Sequence, residues 1–376
     1  MRPDFSQYPF LVAWEMTHAC LMACKHCRAS AEKNPLLGEL STEQGKQLLD
    51  ELATYTPRPL VLMTGGDPLQ REDVFELLEH ARTLDLKIGF TPAASVALTR
   101  DAIVKLKEAG VTRLALSLDA ASAELHDAFR GEPGTFDRTI QALEWAREIG
   151  LPTQINTTVT RNNSEDIKQL PALLEEKGVV LWSVFYLVPV GRGQILKQLT
   201  SHQFEDHLHW LYNLSLTSSF HVKTTEAHHF RRVVMQERAK QAQKDHALAA
   251  GESLHQGYFK DGMEHSRIGV SDGNGFVFIS CTGNVSPSGF LPLTAGNVKQ
   301  TSLKEIYQDS LLFRELRQKD LLKGKCGFCE FKQICGGSRA RAWAETGDHM
   351  AAEPRCSYVP PAFLNRAGAR GPRVEG

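Results

Sequence analysis

From Phe10 to about Ser219 the chain repeats one pattern, a short apolar or β-branched run followed by a longer stretch with helical periodicity. The runs are LVAWEMT, PLVLMT, LKIGFT, VTRLALSLD, PTQINTTVT and VVLWSVFYLVP, and segments such as TEQGKQLLDELATY, DVFELLEHARTL and TFDRTIQALEWAREIG lie between them. Runs of this length read as strands, and apolar residues recurring every three to four positions read as amphipathic helices. Strands separated by helices pair in parallel through right-handed crossovers. That leaves two α/β forms, a doubly wound sheet or a partial (βα)6 barrel of the TIM type. In both, chemistry collects at the carboxyl ends of the strands.

The pattern stops well before the end of the 376 residues, so residues 1–219 form a first unit and others follow it. Residues 220–265, beginning HVKTTEAHHFRRVVMQERAK, are polar and read as a helical bridge. In residues 266–376, DGNGFVFISCTGNVSPSG reads as a hairpin and SLKEIYQDSLLFRELRQK as a helix, and the remainder is rich in Gly and Cys. With 43 Lys and Arg against 44 Asp and Glu, the charge balance excludes a broad footprint for nucleic acid or an anionic membrane. A small, specific ligand is expected instead. No apolar run approaches the roughly 20 residues that span a bilayer, and MRPDFSQYPF lacks the order of a signal peptide. A cytoplasmic location is the expectation.

The cysteines fall into two groups. Cys20, Cys24 and Cys27 follow the first strand, while Cys281, Cys326, Cys329, Cys335 and Cys356 lie in the last part of the chain. In a reducing compartment two sets of thiolate ligands are a better reading than disulfides. Three thiolates in one tight loop can hold three irons of a [4Fe–4S] cluster and leave the fourth iron open. A tetrahedral zinc completed by His26 or His18 is the alternative.

The spacing C-x3-C-x2-C resembles the signature of the radical S-adenosylmethionine enzymes. In that superfamily the open iron binds the amino and carboxylate groups of S-adenosylmethionine, and an electron from the cluster breaks the sulfonium bond to give a 5′-deoxyadenosyl radical that abstracts a substrate hydrogen. The resemblance implies no catalytic side chain beyond cluster and cofactor. Where that family often has an aromatic residue before the third cysteine, this chain has His26. Thr64-Gly65-Gly66-Asp67-Pro68, at the end of the second strand, resembles the family's GGE-type motif. The resemblance implies that the backbone at Gly65 and Gly66, together with Asp67, receives the methionine ammonium. Ser117 and Asp119 share one face of the fourth strand and could reach ribose hydroxyls. Arg130 is a planar donor suited to a carboxylate, and the resemblance pairs it with that of methionine. Asn156 and Thr158 share a face of strand five. Strand six runs into Leu187–Gly193, similar to an adenine-binding segment, and its Arg192 is expected in a loop near the substrate.

Cys326-x2-Cys329-x5-Cys335, followed by Cys356, resembles the auxiliary-cluster half of the SPASM extension, also called twitch-like, which implies a second [4Fe–4S] cluster with no open iron. A zinc ribbon is the alternative for these four thiolates. The two-cluster SPASM pattern calls for cysteines where this chain has Ser288 and Arg339. One auxiliary site is therefore expected to be lost, leaving Cys281 a buried, unligated thiol.

The resemblance spans about Phe10–Gly193 and Gly269–Pro360, and in appearance it is nearest to the haem and haem d1 biosynthesis branch. That implies a small-molecule substrate, a tetrapyrrole with propionate or acetate side chains, and an electron donor such as flavodoxin or ferredoxin. His228 or His229 would serve as an axial ligand to its iron, and Arg231 and Arg232 would meet its carboxylates. About ten residues precede the first strand, too few for the leader-binding domain common in peptide-modifying members. A peptide- or protein-modifying maturase is the alternative, and a non-enzymatic electron carrier or zinc module is disfavoured by the nucleotide-binding set.

Overall fold

The computed structural model describes residues 4–245 and 269–367. Strands β1 (Leu11–Glu15), β2 (Leu60–Thr64), β3 (Ile88–Phe90), β4 (Val111–Ser117), β5 (Thr153–Val159), β6 (Leu181–Tyr186) and β7 (His221–Thr225) lie side by side in chain order, each parallel to the next. Helices lie between successive strands, as the alternation of periods predicts. The sequence starts them locally. Ser41 and Gln44 form a capping box at the head of Thr42–Ala53, and Thr200 and Gln203 form another at the head of Ser201–Thr217.

The two faces of the sheet differ. Val12, Trp14, Met63, Phe90, Ile155 and Trp182 point toward the helices and are sealed in the main core. Ala13, Leu62, Gly89 and Arg113 share a register row on the opposite, inner face, and Ser117, Asn156, Ser183 and Lys223 share another. One face is thus packed and the other is available to ligands at the strand ends.

The seventh strand is a correction. The bridge read as helical from residue 220 opens with β7, which pairs with β6 from Leu181↔His221 to Phe185↔Thr225. His221-Val222-Lys223-Thr224-Thr225 escapes a hydrophobicity reading because only Val222 of the five is buried. Helix Phe230–Asp245 follows, and residues 246–265 of the bridge lie outside the described residues.

The C-terminal hairpin forms, and it joins the same sheet. β8 (Ser271–Asp272) pairs with β9 (Gly275–Ile279), which runs antiparallel to β10 (Asn284–Ser286), and β10 pairs with β11 (Gly296–Asn297). On its other side β9 is parallel to β1, with Ala13 opposite Phe278. The helix expected over SLKEIYQDSLLFRELRQK is two helices, Leu303–Asp309 and Leu311–Arg317. Ser310 is extended between them, and its hydroxyl accepts from the Phe313 amide to cap the second. Among the described residues no helix is long and apolar enough to cross a membrane.

Candidate active site and cluster-binding cavities

The first cysteine loop leaves the carboxyl end of β1. Cys20 and Cys24 pack with Met22 and Ala31 in a small apolar cluster that Cys27 and Ala93 border. Donors aim at all three sulfurs: the Met22 amide at Cys20 Sγ (3.3 Å), the Ala31 amide at Cys27 Sγ (3.4 Å) and Arg130 Nη1 at Cys24 Sγ (3.7 Å). Burial pushes the Cys20 thiol up to about 12. A thiolate in these surroundings requires a cation beside it, and N–H···S contacts suit sulfurs that ligate iron.

Residues after β2 and β6 hold this loop in place. The Gly66 amide donates to Thr17 O (2.8 Å) and the Asp67 amide to Ala19 O (2.7 Å). A Cβ on Gly66 would stand 2.4 Å from Ala19 O, and one on Gly65 2.7 Å from Thr17 O. Both glycines are therefore required by the backbone that leads into the cysteines. Asp67 departs from its expected role. Its carboxylate is fully buried and accepts from the amides of Leu69 (3.2 Å) and Ala93 (3.3 Å), from Ser95 Oγ (2.8 Å) and from Gln70 Nε2 (3.5 Å), which leaves no oxygen open to an ammonium. Arg192 is also corrected. Rather than lining a substrate loop, it donates from Nε to Cys24 O (2.9 Å) and from Nη1 to Ala31 O (2.8 Å), while its amide donates to Cys27 O (3.0 Å).

Beside the loop lies a cleft of about 230 Å³ lined by Met22, Ala93, Ser117, His126 and Arg130. Arg130 and Ser117 meet here as expected. Asp119 does not face a ribose: it is fully buried, pairs with Arg130 Nη2 at 2.6 Å and accepts from the Thr158 amide at 2.7 Å. Asn156 and Thr158 alternate with buried Ile155, Thr157 and Val159, so they share the inner face as expected. The Asn156 side chain accepts from Gln154 Nε2 (2.7 Å). His126 was missed in the sequence. Its Nδ1 accepts from the Asp119 amide (3.0 Å), which puts the proton on Nε2, and Nε2 is buried without a partner at the cleft. Burial, then the Arg130 charge, pushes its pKa down to about 3, so the ring is neutral. The available signal was spacing, because His126 and Arg130 stand four apart on helix Ala123–Arg130 and share a face.

A second cavity, of about 370 Å³, is lined by Cys326, Cys329, Cys335 and Cys356 together with His229 and Arg232. Amides again aim at sulfur, from Glu353 to Cys326 Sγ (3.3 Å) and from Gly337 to Cys335 Sγ (3.4 Å). Burial pushes the Cys335 thiol up to about 12. His229 is buried with neither ring nitrogen partnered, and Arg232 pairs with Glu205 at 2.6 Å.

Residues 14–174 match the Radical SAM superfamily, and residues 271–330 match SPASM, an iron–sulfur cluster-binding domain. Over 352 residues the chain is 42% identical to the AdoMet-dependent heme synthase of Oleidesulfovibrio alaskensis, an alignment covering 93% of this chain and 87% of that protein. The chain belongs to the radical S-adenosylmethionine superfamily. It is also 40% identical, over 94% of its own length and 97% of the relative's, to the AdoMet-dependent heme synthase of Methanosarcina barkeri. Among solved structures, SuiB of Streptococcus suis bound to S-adenosylmethionine shares the fold, with a TM-score of 0.71 at 18% identity over 94% of this chain and 78% of that one. The chain is thus a radical enzyme that uses [4Fe–4S] clusters and S-adenosylmethionine, and the zinc readings of both cysteine sets give way.

In this radical S-adenosylmethionine enzyme the positions that depart from the two-cluster SPASM pattern are built into a buried polar network. Ser288 Oγ donates to Glu226 (3.2 Å), and Ser338 Oγ donates to the other oxygen of that carboxylate. The Arg339 amide donates to Asp272 (3.0 Å), and its guanidinium donates to the carbonyls of His349 (2.8 Å) and Ala351 (2.7 Å). Burial pushes the Glu226 and Asp272 carboxyls up and the Lys319 ammonium down to about 8. Cys281 is buried, and burial, followed by the charges of Glu15 and Glu39, pushes its thiol up to about 12.

The four residues expected to meet a tetrapyrrole are turned elsewhere. His228 Nδ1 meets Gly337 O (3.0 Å), Arg231 donates to the carbonyls of Ile334 (3.0 Å) and Val270, and His229 and Arg232 line the second cysteine cavity. The turn between β7 and helix Phe230–Asp245 packs on the C-terminal residues, so these side chains dock that unit.

Proposed function

We propose that this enzyme converts an iron tetrapyrrole precursor to haem by radical modification of its carboxylate-bearing side chains. The observation that carries the reading is the 40–42% identity, over more than nine-tenths of the chain, to two AdoMet-dependent heme synthases. The peptide-maturase reading has no comparable support. Cys20, Cys24 and Cys27 would hold the cluster with the open iron, and Cys326, Cys329, Cys335 and Cys356 the auxiliary cluster. When bound, the first cluster and S-adenosylmethionine supply the radical that abstracts a substrate hydrogen.

The chain's own residues bind and orient. Arg130 and the Nε2–H of His126 would receive the methionine carboxylate, and the strand-end carbonyls at Gly65 and Gly66 its ammonium. Ser117, Asn156 and Thr158 offer polar groups to the nucleoside along the inner face. Asp119 holds Arg130 and His126 in place, and Asp67 fixes the loops after β2 and β3. The enzyme would act as an oxidoreductase or lyase, supplied with electrons by a flavodoxin or ferredoxin in the cytoplasm.

The test is anaerobic reconstitution with iron and sulfide, incubation with candidate iron tetrapyrroles, S-adenosylmethionine and a reductant, and mass analysis. Haem accumulating together with 5′-deoxyadenosine is the expected result. Formation of 5′-deoxyadenosine with every tetrapyrrole returned unchanged would overturn the reading.

A further inference from the structure

The turn between β7 and helix Phe230–Asp245 is fastened on both sides of one cysteine of the second cavity. His228 Nδ1 meets Gly337 O at 3.0 Å and Arg231 Nη1 donates to Ile334 O at 3.0 Å, so the two contacts bracket Cys335 along the chain. The Gly337 amide in turn donates to Cys335 Sγ at 3.4 Å. His229 stands between these two anchors, which hold it at the wall of the cavity. Its ring centre lies 5.0 Å from that of Phe204 on helix Ser201–Thr217.

His229 is 1% exposed, and among the described residues neither of its ring nitrogens has a hydrogen-bond partner. An imidazole carries at least one N–H, and a buried N–H left unpaired is costly. Buried polar groups are almost always partnered, so the missing acceptor belongs to what the cavity holds. A second side chain there has the same character. Arg232 Nη1 and Nη2 are taken by Glu205 (2.8 and 2.6 Å) and Nη1 also by Gln236 (2.7 Å), whereas Nε is buried with no partner. The cavity thus combines four thiols with unpaired donors from two buried side chains. A bare metal ion has no use for donors beside a complete thiolate set. The sulfides of an iron–sulfur cluster are acceptors, and they do.

We propose that His229 tunes the auxiliary cluster, donating a ring N–H to one of its sulfurs and thereby raising its reduction potential. The inference rests on the auxiliary-cluster assignment in the reading above and adds a residue to it. Hydrogen bonds to sulfur are among the levers that set such potentials. The reduced form carries one more negative charge than the oxidised form, so a donor aimed at sulfur favours reduction. Coordination of iron is left to the four cysteines.

The experiment is a redox titration, followed by EPR, of the full chain reconstituted with iron and sulfide. A parent carrying Cys20→Ser, Cys24→Ser and Cys27→Ser lets the auxiliary cluster be read alone. Added to it, His229→Phe keeps a ring against Phe204 and deletes both nitrogens. At the midpoint potential of the parent, the ratio of reduced to oxidised cluster should fall about tenfold in this variant, which is about 59 mV for a one-electron couple. Iron should hold at about four per chain. His229→Asn and His229→Gln return an N–H near the reach of Nδ1 and Nε2, and one of them should recover most of the shift. An unchanged midpoint in His229→Phe overturns the proposal, and so does a midpoint that falls equally in all three variants, because packing would then set it. Should His229→Phe lose its iron, the parent labelled with 15N-histidine decides. Its reduced cluster should show weak coupling to a histidine nitrogen in pulsed EPR; no coupling, or the strong coupling of a nitrogen bound to iron, overturns the donor role. A parent that takes up no four-iron cluster overturns the auxiliary-cluster assignment and this proposal with it, and leaves the haem-precursor reading, carried by sequence identity, in place.

Discussion

Replacing Arg130 by alanine should damage more than cofactor affinity, because Arg130 is half of a buried ion pair. Its Nη2 lies 2.6 Å from Asp119, whose carboxylate is fully buried and also accepts from the Thr158 amide. Removing one partner of such a pair leaves an uncompensated charge and costs about 3–5 kcal/mol, a large fraction of the roughly 5–15 kcal/mol that stabilises an ordinary domain. The defect should depend on pH with a definite sign. Burial already raises the Asp119 pKa, and Arg130 works against that rise. Without Arg130 the folded-state pKa moves further above the unfolded value, so the protonated acid is tolerated at low pH and stability is lost as pH rises through the new pKa. Denaturant unfolding of the reconstituted protein from about pH 5 to pH 8 should show the Arg130→Ala deficit growing with pH. The double variant Arg130→Met, Asp119→Leu removes both charges and should recover much of the loss. An Arg130→Ala protein as stable as wild type across this range would refute the reasoning and return Arg130 to the role of a free ligand for methionine.

Other outcomes follow from the same geometry. Arg192→Ala removes two charged hydrogen bonds to Cys24 O and Ala31 O, each worth about 1.5–3 kcal/mol. It should lower the iron of the first cluster, with Arg192→Lys intermediate. Full iron content with slowed turnover would instead restore a substrate-loop role. His126→Phe, which deletes the unpartnered Nε2–H, should weaken S-adenosylmethionine binding by about tenfold in anaerobic calorimetry with iron content unchanged, and equal affinity would remove His126 from the site. Cys281→Ser should leave total iron unchanged while Cys335→Ser lowers it, and iron loss from the first of these would show that the ligand sets are misassigned.

Much of the barrel was legible because its core-facing positions are strongly apolar. Val12, Trp14, Met63 and Phe90 announce their strands, and the cysteine spacing announces what the first loop holds. β7 was illegible for the complementary reason: Lys223 and Thr225 project from the ligand face, and polar residues there erase the signal of a strand. The site residues divide in the same way. Ser117, Asn156 and Thr158 follow from strand alternation alone. Asp67, Asp119 and Arg192 were identified as residues of the site but given the wrong partners, because a motif reports that a polar group is required and not whether it faces ligand or protein. Whether an aspartate two residues beyond a strand end reaches a ribose or an arginine depends on a helix that returns 11 residues later, and pattern along the chain carries no such information.

At the positions where the two-cluster SPASM pattern calls for cysteines, the structure holds a packed polar interior. A cavity lined by thiols without iron would be an apolar void, costly in lost packing. Here Ser288, Ser338 and Glu226 close one hydrogen-bonded group, and Arg339, Asp272 and Lys319 set charges of both signs beside it. This interior joins the second cysteine cavity to the barrel. Glu353, whose amide donates to Cys326 Sγ, pairs with Arg341 at 3.2 Å, and Arg341 reaches the carbonyls of Tyr186 (3.2 Å) and Leu187 (3.3 Å) at the end of β6. The same segment continues to Arg192, which grips Cys24 O and Ala31 O across the first cysteine loop. The two cysteine sets are therefore connected by buried, charge-assisted contacts, with the β6 segment as the shared element. On the other flank β9 pairs with β1, and Arg28, at the end of the first loop, lies 4.4 Å over the Phe278 ring of β9. The C-terminal unit thus fixes the first loop from both sides of the barrel opening, a structural function that stands whether or not the auxiliary cluster carries electrons.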